Sequence, residues 1–171
     1  ERLSRSHEVH AFALRHLEKP QTYQLRGFTV HDLGRPSLPF GLSPRPAQLG
    51  ALVSGMRQVG PFDLVHGFWA DPSGMLAVSM GRVYQIPSIV SCDSGEFVSL
   101  PSIDYGSQRT GRGRKIVAEA LKAARVHVCT QFMASLAAHH GIETTIIPLV
   151  SDLTATTGQT AAPGRLKPAS I

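Results

Sequence analysis

Apolar positions along the chain come in two patterns. Short, nearly continuous runs at residues 8–14, 28–31, 62–66, 88–92, 126–129 and 144–147 predict strands. Between them, apolar residues recur at helical spacing. Leu49, Leu52, Val53, Met56 and Val59 predict a helix over residues 47–59 that Gly60-Pro61 stops. Met75, Leu76, Val78, Met80 and Val83 predict a second, with Asp71 as N-cap and Pro72 in the first helical position. Ile116, Val117, Ala120, Leu121 and Ala124 form a third stripe. Phe132, Met133, Leu136 and Ala137 form a fourth, with Thr130 as cap and Gly141 at its end. Proline-rich 36–46 and polar 94–113 are expected loops, the second holding a short helix. Strands that are apolar throughout, alternating with helices, predict a parallel sheet covered on both faces. No internal repeat is visible.

Composition narrows the class. The chain has 171 residues, enough for about one domain. It is 42% hydrophobic and only 17% charged, which excludes a disordered chain. No apolar run approaches the roughly 20 residues of a membrane span. Cys92 and Cys129 both lie in apolar runs and are expected as reduced thiols of a cytoplasmic protein. Net charge +5 and a pI near 9.7 suit contact with phosphate, nucleic acid or an anionic membrane, without choosing among them. With 6% aromatics, a stacking platform for single-stranded nucleic acid is not expected. The chain opens on Glu1, and its first seven residues resemble the end of a helix entering a strand, so a segment upstream is expected.

In an open parallel sheet, ligands sit at the carboxyl ends of the strands. Three such ends carry candidate chemistry. His66, Gly67, Phe68, Trp69, Ala70 and Asp71 can shape a pocket for a sugar or a base. Equally, Trp69 can pack on the sheet edge while His66 bonds to backbone. Ser91, Cys92, Asp93, Ser94, Gly95, Glu96 and Phe97 place two carboxylates on a small turn. These can bind sugar hydroxyls, or only cap turns. Residues 146–152 offer Asp152 after a proline, the weakest of the three. The basic run 109–115 has glycines but no strand directly before it, and it matches neither phosphate-loop nor dinucleotide patterns. A solvated loop is the plainer expectation there. His139-His140 ends a helix, where positive charge suits the dipole, and has no evident third metal ligand. No hydrolase elbow or zinc-protease motif occurs.

Taken in order, six stretches resemble the N-terminal half of a family 4 (group 1) retaining glycosyltransferase of the GT-B fold. Residues 6–12 are similar to that family's "GHEVHVF", and residues 62–69 to "DVVHAHW". Residues 81–87 resemble its "GIP" segment, and 91–96 its "TxHGGE". Residues 123–133 resemble "ADxVIxxSxxM", and 141–152 "GI…VIPNGVD". Two departures stand out. Asp93 occupies the place of a family His that contacts the donor sugar near the reacting carbon. The last motif lacks its glycine.

The resemblance implies an α/β, Rossmann-like parallel sheet with helices on both faces and with the family's first strand missing. It implies an acceptor-side domain over 1–152 and a linker over 153–171 into a missing C-terminal donor-binding domain. The family sheet has strand 1 at its centre, so the strands near Val9 and Leu64 would lose their shared neighbour. The function implied is transfer of a sugar from a nucleotide-sugar donor to an acceptor hydroxyl, with the fragment alone inactive. Asp93 is assigned to catalysis. His66, Phe68, Trp69, Asp71, Ser94, Gly95, Glu96, Tyr105, Arg109 and Arg112 are assigned to substrate binding. Neither cofactor nor metal is expected, the nucleotide sugar being a substrate. Expected partners are that donor, a glycan, lipid or small-molecule acceptor, and the missing domain, with no nucleic acid. The location implied is cytoplasmic, compatible with peripheral membrane contact. Alternatives are a non-catalytic Rossmann-like nucleotide- or anion-binding module and a GT-B sugar-nucleotide epimerase.

Overall fold

A computed structural model describes residues 3–14, 17–34, 45–70 and 72–149. Asp71, expected as an N-cap and as a site residue, lies outside them, as does the expected linker 153–171. In chain order the elements are β1 (His10–Ala13), β2 (Gln21–Leu25), β3 (Phe28–Asp32), α1 (Arg45–Val59), β4 (Val65–Phe68) and α2 (Pro72–Tyr84). There follow β5 (Ser88–Cys92), α3 (Gly111–Lys122), β6 (Arg125–Val128), α4 (Gln131–His139) and β7 (Thr145–Ile146). Three short 3-10 turns, Leu3–Arg5, Pro101–Ile103 and Ser107–Arg109, complete the set. None of the described helices is long and apolar enough to cross a membrane.

The fold is α/β and Rossmann-like. Strands β4-β5-β6-β7 form a parallel four-stranded sheet flanked by helices. Strand register and the two-residue alternation of side chains put Gly67, Val90, Cys92, Val126 and Val128 on one face. All five are buried. Val78 of α2, Val117, Ala120 and Leu121 of α3, and Met133 and Ala137 of α4 pack into one core with the strand residues Val90, Cys92, Val126 and Val128. The opposite face carries His66, Phe68, Ile89, Ser91 and His127, all partly or largely exposed.

The remaining strands form a separate sheet in the order β1-β3-β2. Here β1 runs parallel to β3, and β2 antiparallel to it. β1 and β4 are therefore each the last strand of a different sheet. Side chains rather than backbone bridge them. Phe62 meets Phe12 edge-on with centroids 6.2 Å apart, and Leu52, Met56 and Met80 close a second core around both rings. On β1 and β3, a polar row joins Glu8 to His10 at 3.0 Å and His10 to His31 at 2.9 Å.

Three elements differ from expectation. β2 is polar and mostly exposed, so no apolar run announces it; its pairing with β3 across the Arg26-Gly27 turn creates it. β4 begins at Val65 rather than at residue 62, because Phe62 turns into the second core. α3 begins at Gly111, with Thr110 Oγ1 accepting from the Gly113 N–H at 2.9 Å. The basic segment after Arg109 is thus the first turn of a helix and not a loop. Thr130 does cap α4, its Oγ1 accepting from the Met133 N–H at 3.1 Å. Gly141 follows that helix at φ 69°.

α2 lies unusually close to β4. A Cβ on Gly67 would stand 2.8 Å from the Gly74 Cα and 2.9 Å from the Ala77 Cβ. Gly67→Ala is expected to destabilise the fold by about 1–3 kcal/mol through overpacking. Gly50 on α1 has nothing within 4 Å of the same position. Gly50→Ala should therefore stabilise by about 0.5–1 kcal/mol. Denaturant midpoints of the two variants read both signs, and equal shifts would show that the close approach is not limiting.

Candidate functional site

The carboxyl ends of β4 and β5 are adjacent, and each opens into a tight turn. At the end of β4, Trp69 adopts a left-handed backbone with φ 66°. For a bulky side chain this conformation is strained by about 1–3 kcal/mol. Three contacts impose it. The Trp69 N–H donates to the Ser91 carbonyl at 2.8 Å. The Ser73 hydroxyl donates to the Phe68 carbonyl. The Trp69 carbonyl lies over the bare Cα of Gly74, where a Cβ would collide with it.

The indole is half exposed, yet it is not free to swing. Its Nε1–H donates to Asp93 Oδ1 at 2.8 Å. Asp93 is the first residue beyond β5, so this bond ties the ends of the two strands together. Ser94 follows, its hydroxyl 2.8 Å from the phenol oxygen of Tyr105. The Tyr105 ring lies against Gly95, where a Cβ would stand 3.0 Å from Cζ. The loop is further closed by the Ser107 N–H on the Gly95 carbonyl at 2.8 Å and by Gln108 Nε2 on the Glu96 carbonyl at 2.6 Å.

Glu96 is 2% exposed, a rare burial for a carboxylate. Oε2 accepts the Ser94 N–H at 3.0 Å, while Oε1 has no hydrogen-bond partner among the described residues. Burial raises its pKa. The backbone N–H groups of Glu96, Ser94 and Ala70 oppose that shift, and the charge of Asp93 adds to it. The carboxyl thus senses both turns, Ala70 after β4 and Ser94 after β5. Trp69, Ser94, Gly95, Glu96 and Ser107 line a small open cleft here.

His66 sits on the exposed face of β4. Its Nε2 is 2.8 Å from Ser91 Oγ, its ring stacks on Phe68 with centroids 4.6 Å apart, and His127 lies edge-on at 6.4 Å. Burial first, and the neighbouring His127 second, lower its pKa.

Of the residues expected at the site, Trp69, Asp93, Ser94, Gly95, Glu96 and Tyr105 come together. His66 and Phe68 occupy the adjoining sheet face. Arg109 is engaged elsewhere, in an ion pair with Asp104. Arg112 is exposed in the first turn of α3, apart from the cleft lining. Sequence reasoning missed Ser107, which only the fold of the loop brings to the cleft, and it did not foresee that strand register puts Ser91 beside His66. Among the described residues no group of three His, Cys, Asp or Glu side chains is placed to hold a metal ion.

The family model described as glycosyl transferase 4-like domain matches residues 1–150. The chain belongs to this family of glycosyltransferase domains. No curated protein matches it. Membership gives the domain a sugar donor and an acceptor in general terms, and the two turns described above lie at the carboxyl ends of parallel strands, where open α/β sheets bind ligands.

The lowered pKa of His66 fixes a sign for pH. The folded state resists protonation there, so stability is full above the ordinary His value of about 6.5 and falls as pH drops below it. His31 acts in the same direction, and Glu96 in the opposite one. His66→Gln should therefore lose less stability than the wild type between about pH 7.5 and pH 5. Thermal unfolding at the two pH values checks this, and identical losses would remove His66 from the account.

Proposed function

We propose that this domain is the acceptor-side half of a retaining glycosyltransferase that moves a sugar from a nucleotide-sugar donor to an acceptor hydroxyl. One observation carries the reading: the Trp69–Asp93 bond joins the carboxyl ends of β4 and β5 beside the Glu96 turn, building a polar cleft at the ligand-binding edge of the sheet. Asp93 holds the transferred sugar close to the reacting carbon. Ser94, Gly95 and Glu96 shape the turn beneath it, Trp69 forms the wall, and His66 and Phe68 extend the binding surface along the adjoining sheet face. Tyr105 fixes the turn from the other side. Arg112 is the cation available to an anionic group on the acceptor.

Retaining transfer of this kind is a matter of charge and position. The departing diphosphate needs cationic or N–H donors as its charge develops. The acceptor hydroxyl must be held against the same face of the sugar. Closure of a second domain, reached through residues 153–171, excludes water that would hydrolyse the donor. That second domain supplies most of the nucleotide site, and no resident cofactor or metal is required. A strand from outside the described residues seats between β1 and β4, whose outer edges have no strand partner among those residues. The isolated chain is accordingly inactive. A cytoplasmic location with peripheral access to a membrane fits the basic balance of the chain.

Asp93→Asn in the chain joined to its donor-binding domain should lower transfer at least about tenfold while leaving the fold intact. Release of nucleoside diphosphate that depends on acceptor measures this. Unchanged transfer would remove Asp93 from the reacting centre, and binding of nucleotide sugar without transfer would favour a binding module instead.

A further inference from the structure

We propose that the exposed face of Trp69 is a stacking platform for a neutral carbohydrate ring of the acceptor, next to the transferred sugar that Asp93 holds, and that the acceptor is therefore a glycan and not a lipid or a peptide. The inference rests on the transferase reading above and adds the acceptor's chemical class.

Three observations carry it. The chain holds a strained left-handed backbone at a bulky aromatic, and strain of this kind is kept where it positions a group for use. The ring so placed is 51% exposed, although it belongs to the only tryptophan in the chain. Its plane is fixed from both ends, by the Ser91 carbonyl on its backbone and by Asp93 on its indole N–H. A fixed aromatic face loses little freedom when a ligand stacks on it.

The surrounding chemistry selects the ligand. The cleft is lined by Ser94, Gly95, Glu96 and Ser107 beside Trp69, with Asp93 bonded to the indole. Hydroxyls and carboxylates bind the hydroxyls of a sugar, while the flat C–H face of the ring meets the indole. Among the described residues no cation lines this cleft. A nucleoside diphosphate would bring its negative charge against Asp93 and Glu96, so the base and phosphates of the donor are not the ligand that suits this face. A lipid chain would leave the carboxylates unsatisfied.

These 171 residues hold one tryptophan, so the part of the full-length protein's emission that Trp69→Phe removes reports this site. The full-length protein is titrated with neutral methyl hexosides and disaccharides, and separately with UDP-glucose and GDP-mannose. The expected result is a saturable change in emission with at least one neutral saccharide at millimolar concentration, weakened about tenfold in Asp93→Asn. Trp69→Phe, which keeps a ring but loses the N–H, should bind the same saccharide more weakly by ligand-observed NMR, with an unchanged circular dichroism spectrum. An emission change with nucleotide sugars alone would overturn the proposal, as would saccharide binding that Asp93→Asn leaves unaltered. Acceptor-dependent transfer to a lipid with no saccharide response would overturn it while leaving the transferase reading in place. Loss of transfer to every acceptor, with the saccharide response retained, would overturn that reading and not the platform.

Discussion

The carboxyl edge of the sheet depends on how closely α2 approaches β4. Two glycines and an alanine make the contact, Gly67 on the strand and Gly74 and Ala77 on the helix. Because the helix starts so near the strand, the chain between them has little length in which to reverse. It does so at Trp69, with its carbonyl pressed over Gly74 and its φ forced positive. The strained aromatic is a product of tight packing beneath it. The packing energy of the core, rather than any property of the turn itself, holds the indole where it can bond to Asp93.

That bond has an electrostatic counterpart. Glu96 is buried next to an exposed Asp93, an arrangement that raises the cost of ionising the buried carboxyl. Backbone N–H groups from both turns oppose the cost, so the two loops and the carboxyl stabilise one another. His66, on the exposed face beside the same strand ends, is held toward its neutral form. The region therefore presents hydrogen-bonding groups with little positive charge.

Much of this was visible in the order of residues. The parallel sheet follows from strands apolar throughout, and Val90, Cys92, Val126 and Val128 are buried as that pattern requires. The caps of α4 were visible as Thr130 and Gly141. Both turns of the site were marked by polar and aromatic residues directly after an apolar run. What escaped was whatever depends on a partner distant in sequence. β2 is polar and becomes a strand only because β3 offers it a ladder. β4 starts late because Phe62 is needed in a core shared with Phe12, about fifty residues earlier. The segment after Arg109 resembles a loop by its glycines, yet Thr110 caps it into a helix. At the site, composition marked Trp69 and Asp93 separately, and only the parallel register of β4 and β5 makes them bond.

The same register bears on how the domain is held together. β1 and β4 each end a sheet, and the contact between them runs through Phe12, Phe62, Met56 and Met80. Aromatic and methionine side chains can span such a gap, but they do not satisfy backbone N–H and C=O groups along two strand edges. Strand edges with no partner among the described residues are also a template for another strand. A strand inserted between them would pair both edges at once and join seven strands into one sheet. It would enter beside β4, whose carboxyl end carries Trp69. A strand there would run alongside β4 toward the turn that carries Trp69, so that completing the sheet and shaping the site would be linked.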